Sequence, residues 1–130
     1  MTGKHDNLKH RTKCLALDVI RFVRSLPSED VARVLGKQLL RSATSAGANY
    51  RSACRARSRA DMVSKLKLVE EELDESAYWL ELLEESGYDS QEVPGLVAET
   101  EQLLAIIVSS IKTLRSGAFS GNSSLVTRNS

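Results

Sequence analysis

The sequence predicts an all-α fold, a left-handed four-helix bundle, and three observations support this. Apolar residues recur at alternating three- and four-residue intervals in four separate segments, as expected of helices that bury one face. Only 5% of the 130 residues are aromatic, and the chain contains 2 Pro and 7 Gly, so helices are favoured over strands. In the third segment the spacing continues without exception, which is typical of the seam of a left-handed bundle.

The first helix is predicted over residues 6–25, after a flexible N-terminus at residues 1–5. Pro27 ends the helix, and Ser28 is a candidate N-cap for the next one. Acidic residues follow Ser28 and suit the positive end of a helix. The core-facing series has Thr12 at its one polar position and otherwise consists of Leu8, Leu15, Val19, Phe22 and Leu26.

The second helix is predicted over residues 30–57. Its middle, residues 42–48, almost lacks large side chains and includes Gly47, which costs a helix about 1 kcal/mol relative to Ala. We therefore expect very close packing on this segment, either by another helix backbone or by a ligand. The residues directed toward the core are Leu35, Leu39, Ala46, Tyr50 and Ala53.

The third helix is predicted over residues 59–86, after a bend. Ser58 and Asp61 resemble a capping box at its start. Burial of the rings of Tyr78 and Trp79 is favoured over a role in base stacking. The residues of the seam are Met62, Leu66, Val69, Leu73, Ser76, Leu80 and Leu83.

The fourth helix is predicted over residues 92–115. Gly87 suits the positive φ that ends the preceding helix, Ser90 can act as a cap, and Pro94 fits only in a first turn. Residues 116–130 lack periodicity and are predicted to be a disordered tail. The fourth helix has two apolar flanks, which suggests self-association; these are Val97, Leu104, Ile107, Ile111 and Leu114 on one and Leu96, Leu103 and Ile106 on the other.

The net charge of +1 conceals a separation between the two halves of the chain. Residues 1–67 hold 15 Lys and Arg against 5 Asp and Glu, whereas residues 68–130 hold 3 against 12, giving +10 and −9. In a bundle the two halves can neutralise each other along adjacent helices, or they can attract oppositely charged partners separately.

Six cations form a repeating pattern in the basic half. Two groups of three, each with four-residue steps, are separated by eighteen residues, which is about five helical turns. On one continuous helix they would share a sector about 80° wide and span about 39 Å, so they would form a basic stripe. Like charges at this spacing repel, and the stripe therefore calls for negative charge from elsewhere. Its members are Arg33, Lys37, Arg41, Arg51, Arg55 and Arg59.

The residue types that carry most enzyme chemistry are missing or misplaced. A di-iron bundle needs histidines on its inner faces, but His5 and His10 lie near the N-terminus and are the only histidines. Cys14 and Cys54 have no CxxC spacing and no nearby histidine in the sequence, so no zinc site, disulfide framework or cysteine nucleophile is indicated.

Two further patterns bear on catalysis and location. The acidic cluster of Glu71, Asp74 and Glu75 flanks the apolar seam and is interpreted as a solvated or subunit-facing surface. No stretch of about 18 consecutive apolar residues and no leader is apparent, so we expect a cytoplasmic protein that does not bind membranes. We expect neither catalysis nor a metal or other cofactor.

Several segments together resemble the bacterial four-helix-bundle family that is also called the S23, or 23S rRNA intervening-sequence protein, family. The resemblance covers roughly residues 8–115. Where the commoner family pattern reads Asn-Ile-Ala-Glu-Gly, this chain has Asn49-Tyr50-Arg51-Ser52-Ala53, so a basic patch replaces one that contains an acid. The segments are Pro27, the run Leu39-Leu40-Arg41-Ser42-Ala43-Thr44-Ser45-Ala46-Gly47-Ala48-Asn49-Tyr50-Arg51, and residues 57–62 and 70–83.

The resemblance implies an up-and-down antiparallel bundle that assembles into a ring, typically a homopentamer. It also implies kinship with the accessory variability protein of diversity-generating retroelements, which binds nucleic acid alongside a reverse transcriptase. A protein partner such as a reverse transcriptase is therefore expected from the resemblance.

Two hypotheses for function remain. In the first, the basic stripe contacts the backbone of RNA or DNA, with salt-sensitive and weakly sequence-specific binding. In the second, the protein is a structural or protein-interaction scaffold whose stripe pairs with acidic helix surfaces inside the bundle or between subunits. The acidic residues considered for that pairing are Glu71, Asp74, Glu81 and Glu85.

Overall fold

The computed structural model describes residues 4–88 and 90–117, and it contains four α-helices in this range. They are α1 (Lys4–Arg24), α2 (Asp30–Ala53), α3 (Arg59–Glu85) and α4 (Glu92–Arg115). Each helix contacts the next in sequence, and α1 also contacts α4. This is the arrangement of an up-and-down four-helix bundle, so the predicted fold class is confirmed. The predicted tail lies outside the described residues beyond Gly117.

Neighbouring helices run in opposite directions, as pairs of contacts at different heights show. Gly47 of α2 lies against Thr12 of α1, whereas Gly36, about three turns earlier in α2, lies against Val23. Between α3 and α4 the order is likewise reversed, because Val63 and Leu114 line one pocket while Tyr78 and Val97 line another. The chain therefore brings the start of α1, the end of α2, the start of α3 and the end of α4 to the same end of the bundle.

The core follows the predicted spacing closely in α1 and α3. The seam of α3 is buried from Leu66 to Leu83, and only Met62 at its start is half-buried. In α4 the residues that are buried are not all those of the flank that continued the predicted core spacing. Leu96 and Leu103, assigned to the second flank, are buried, whereas Val97 and Leu104 are half-buried.

The small side chains in the middle of α2 allow α1 and α3 to come close. A Cβ atom at Gly47 would lie 3.4 Å from the carbonyl oxygen of Thr12, so the close neighbour is a helix backbone, as expected. On the other side, Ser42 and Ser76 are fully buried and their hydroxyl oxygens lie 2.8 Å apart in a hydrogen bond between α2 and α3. Tyr78, by contrast, is 52% exposed, so its predicted burial is wrong.

The ends of α3 are formed by the residues that the sequence suggested. The Ser58 hydroxyl accepts a hydrogen bond from the Asp61 backbone N–H at 3.0 Å, as an N-cap does. At the other end Gly87 has φ +94°, and the N–H of Tyr88 bonds to the carbonyl of Leu83. Together with the bond from Gly87 to Glu84 this is a Schellman motif.

The caps of α2 and α4 differ from the prediction. The N-cap of α2 is Glu29 and not Ser28, and its side chain makes no capping bond. The formal N-cap of α4 is Gln91, but the Ser90 hydroxyl still accepts a hydrogen bond from the Glu92 N–H at 3.3 Å. This leaves Pro94 in the first turn of α4, where its missing N–H is not needed.

Candidate nucleic-acid interface

The predicted basic stripe is shorter on α2 than the spacing indicated. Helix α2 ends at Ala53, four residues before the predicted end, because the next N–H groups bond back three residues, from Arg55 to Ser52 and from Ala56 to Ala53. This tighter turn leads into the extended Ser58 cap. Arg55 therefore lies in the link between the helices and Arg59 begins α3, so a single continuous helix does not carry all six cations.

Two members of the stripe are occupied within the protein. Arg41 bridges from α2 to α3 by forming ion pairs with Glu72 and Glu75. Arg33 pairs with Asp30, one turn before it, at 3.1 Å. Both arginines are well exposed, and an exposed ion pair contributes only about 0–1 kcal/mol to the free energy of unfolding. Pairing of the stripe inside the bundle is thus real at Arg41, although its partners are not among the four acids considered from the sequence.

The other four members of the stripe are exposed and make no ion pair with any residue that the structure describes. The sequence between Asp30 and Asp61 contains no acidic residue at all. The nearest acid to the end of this stretch, Asp61, is itself paired with Lys65 at 3.3 Å. These four cations, which are available for an external anion, are Lys37, Arg51, Arg55 and Arg59.

The topology adds cations that the stripe did not include. Arg57 lies in the same link, and the last turn of α4 places Lys112 and Arg115 at the same end of the bundle. Residues 102–117 contain no acid, so nothing in α4 opposes this charge locally. The sequence does show that residues 31–60 and 102–117 contain no Asp or Glu. It does not show that the two stretches meet, because only the folded topology brings them to the same end of the bundle. We call this surface the basic end; it consists of Arg51, Arg55, Arg57, Arg59, Lys112 and Arg115.

Acidic residues line an open groove between the later half of α3 and the first half of α4. The groove has a volume of about 530 Å³, and the exposed ring of Tyr78 and the side chain of Val97 contribute its apolar surface. No Lys or Arg occurs between residues 68 and 111. Of the predicted acidic cluster, Asp74 and Glu75 reach this groove; its carboxylates are those of Asp74, Glu75, Glu81, Glu84, Glu85 and Glu101.

An ion pair of a different kind joins α1 to α4. Arg11 donates two hydrogen bonds to the Glu99 carboxylate, at 2.9 and 2.8 Å, and both side chains are partly buried. The hydrogen bond to Glu99 raises the pKa of Arg11, and the charge of Glu99 adds to this against the opposing effect of burial. This bidentate pair joins α1 to α4, which is the least extensive of the four helix–helix contacts, so we assign Arg11 a structural role.

The described residues include no group of three potential metal ligands from His, Cys, Asp and Glu. Cys14 and Cys54 form no disulfide. Cys14 does have a histidine nearby, so the prediction of none is wrong for this cysteine. Its Sγ atom is 3.4 Å from Nε2 of His10, one helical turn earlier. Among the side chains that the structure describes, none besides Cys14 hydrogen-bonds to this imidazole.

Helix α4 is long enough and apolar enough to cross a bilayer by length and composition alone. Core helices of globular proteins can meet the same criterion, and Leu103 and Ile107 belong to the bundle core, but only 28% of the apolar window is buried in the bundle. The absence of membrane binding and the cytoplasmic location stay predictions.

The fold and the interface define a small, all-helical bundle protein with one strongly basic end. The model of the 23S rRNA-intervening sequence protein family matches residues 6–109, and the chain belongs to this family. Among solved structures, the chain is similar to a protein of unknown function from the S23 ribosomal protein family of Bacteroides thetaiotaomicron. The two share 35% sequence identity with a TM-score of 0.78, over 85% of this chain and 100% of the other. No curated protein matches the chain.

Proposed function

We propose that this protein is a non-enzymatic, oligomeric bundle that binds the backbone of RNA or DNA through the unpaired cations of its basic stripe. The observation that carries the proposal is the stretch from Arg51 to Arg59, which contains no acidic residue and whose exposed arginines make no ion pair with a residue that the structure describes. Guanidinium groups suit phosphate because they offer several donors in a fixed planar arrangement. The resemblance adds a ring of subunits, which would multiply weak sites.

The contacts expected are with phosphates more than with bases. None of the six stripe residues is aromatic, so stacking of bases on aromatic rings is not available along the stripe. If Arg51, Arg55 and Arg59 each neutralise one phosphate of a duplex, the affinity should fall about 40-fold between about 50 and 200 mM salt. Sequence preference should be weak, because phosphate contacts carry no sequence information directly.

A scaffold without nucleic-acid binding is the second candidate, and the ion pairs of Arg41 with Glu72 and Glu75 favour it. In these pairs a cation of the stripe on α2 reaches two carboxylates of α3. In this alternative the basic end of one subunit contacts the acidic groove of another. A protein partner would then bind the assembled ring.

The test is the double reversal Arg51→Glu and Arg55→Glu, compared with Arg21→Glu and Arg24→Glu as a charge-matched control on the last turn of α1. Fluorescence anisotropy measures binding of structured RNA and duplex DNA at about 50 and 200 mM salt. Light scattering measures the oligomer mass of each variant.

For nucleic-acid binding we expect the first variant to keep its oligomer and to lose binding, while the control retains most of it. The slope of log affinity against log salt should decrease by about 2, one for each lost phosphate contact. Dissociation of the oligomer in the Arg51 and Arg55 variant would instead support the scaffold. Absence of binding by the wild-type protein at the lower salt concentration would refute the proposed function.

A further inference from the structure

A shallow pocket lies at the basic end, between the first turns of α3 and the last turn of α4. In the described part of the chain it is lined by Arg59, Ala60, Val63, Leu114 and Arg115, and its volume is about 560 Å³. The depression is wide open to solvent, so a ligand would lie with one face against it and the other face in water. Two arginines thus flank a surface that is otherwise apolar.

The two arginines are available to a ligand. Arg59 and Arg115 are exposed, and neither pairs with an acid among the residues that the structure describes. A Cβ atom at Gly117 would lie 4.0 Å from Nη1 of Arg59, so this guanidinium lies beside the carboxyl end of α4. The carbonyl groups there carry partial negative charge, which favours a cation in this position. Arg59 is therefore placed next to the pocket before any ligand arrives.

Binding of a phosphate group alone would not require the apolar part of the pocket. Leu114 is a buried core residue, and Val63 is half-buried and packs against the same core, so this surface is supported from below. A nucleobase has a flat face that stacks on guanidinium planes, and covering that face with aliphatic side chains removes apolar surface from water. A paired base in a duplex cannot reach such a surface without leaving its stack, which costs a few kcal/mol.

We propose that this pocket holds one unpaired nucleotide of a bound strand, with its base against Ala60 and Val63, which Leu114 supports, and its flanking phosphates at Arg59 and Arg115. The inference rests on the proposed function and specifies its substrate class. The protein discriminates nucleic acids by the presence of an unpaired nucleotide and not by base sequence. A hairpin loop, a bulge or a single-stranded end meets this requirement, whereas a blunt duplex does not.

The measurable consequence is a preference at constant salt. A single strand of about ten nucleotides should bind about tenfold more tightly than a blunt duplex with the same number of phosphates, since burying one base face on apolar side chains and placing it on a guanidinium contributes about this order of affinity. A fluorescent base analogue in the single strand should change its emission on binding, because its stacking neighbours change.

The diagnostic variant is Ala60→Glu, which puts a carboxylate into the pocket. Ala60 is exposed and lies in the first turn of α3, where an acidic residue favours the helix, so the variant should fold. Ala98→Glu, at an exposed position of α4 away from the pocket, is the control of equal charge. We expect Ala60→Glu and Arg115→Ala to reduce single-strand affinity to the duplex level, and Ala98→Glu to retain the tenfold preference.

Three results would overturn the inference. If the wild-type protein binds single strand and duplex equally, or if Ala60→Glu keeps the preference, the pocket does not hold a nucleotide, while the proposed function stands. If neither nucleic acid binds at about 50 mM salt, the proposed function itself fails and this inference fails with it.

Discussion

The substitution Gly47→Ala should stabilise the bundle, although Gly47 packs directly against the backbone of Thr12 in α1. The added Cβ would lie 3.4 Å from the carbonyl oxygen and 3.7 Å from the carbonyl carbon of Thr12, which is ordinary van der Waals contact. Alanine in a helix interior is favoured over glycine by about 0.5–1 kcal/mol. Since the methyl group finds space, we expect most of this gain to appear in the free energy of unfolding and to raise Tm by about 2–5 °C.

Substitutions at two other glycines of this chain provide the reference for Gly47→Ala. Gly95→Ala tests propensity alone, because a Cβ there meets nothing within 4 Å. Gly36→Ala should gain less than Gly47→Ala, because its Cβ would lie 3.0 Å from Cδ1 of Leu26, which has to move. Gly47→Leu should destabilise by about 1–3 kcal/mol, because a larger side chain must separate the two helices.

The assay is urea unfolding followed by far-UV circular dichroism at a fixed protein concentration, so that any oligomerisation contributes equally to each variant. The prediction depends on the separation between the backbone of Thr12 and α2. If Gly47→Ala lowers the midpoint while Gly95→Ala raises it, α1 and α2 are closer at Gly47 than the structure places them, and the added methyl group does not fit there.

Three further predictions concern the core and one helix cap. Leu73→Ala, at a fully buried seam position, should lower the free energy of unfolding in urea by about 2–5 kcal/mol; a loss below about 1 kcal/mol would contradict burial there. Ser42→Ala and Ser76→Ala should each cost about 0.5–1.5 kcal/mol, and their double-mutant cycle should give a coupling of about 1 kcal/mol; zero coupling would mean that the two hydroxyls do not bond. The hydrogen bond from Ser90, with a smaller backbone contribution, lowers the pKa of Glu92 below its ordinary 4.5, so this group adds stability above its ordinary pKa that is lost as the pH falls through the lowered one. Carboxyl NMR titration should show the pKa of Glu92 rising in Ser90→Ala; an unchanged value would exclude Ser90 as the cause.

The fold was predictable because its signals are local. The seam from Met62 to Leu83 needs only the helical period, and Ser58 and Gly87 mark the ends of α3 by their own chemistry. The end of α2 was less predictable, because the apolar and basic spacing continues past Ala53 while the bonding pattern changes. What decides that end is the extended Ser58 cap, which belongs to the next helix.

The candidate interface was predictable only in part, because charge pairing depends on tertiary distance. The spacing correctly placed Arg33, Lys37 and Arg41 on one exposed face, but it gave no indication that Arg41 reaches Glu72 and Glu75 on α3. Similarly, Arg115 lies 56 residues from Arg59 in sequence and lines the same pocket. Only the antiparallel order of α3 and α4 brings these two residues together.

The placement of the basic end and the acidic groove toward opposite ends of α3 and α4 gives the bundle an electrical polarity. A polyanion attracts the basic end of the protein and repels its acidic groove. The protein is therefore oriented with its basic end toward the polyanion before the two make contact, and encounters in the opposite orientation are suppressed. Once bound, each molecule directs the carboxylates between Asp74 and Glu101 away from the phosphates. On the proposed function, a nucleic acid covered by this protein would therefore still present a negative surface to its surroundings, formed by carboxylates in place of phosphates.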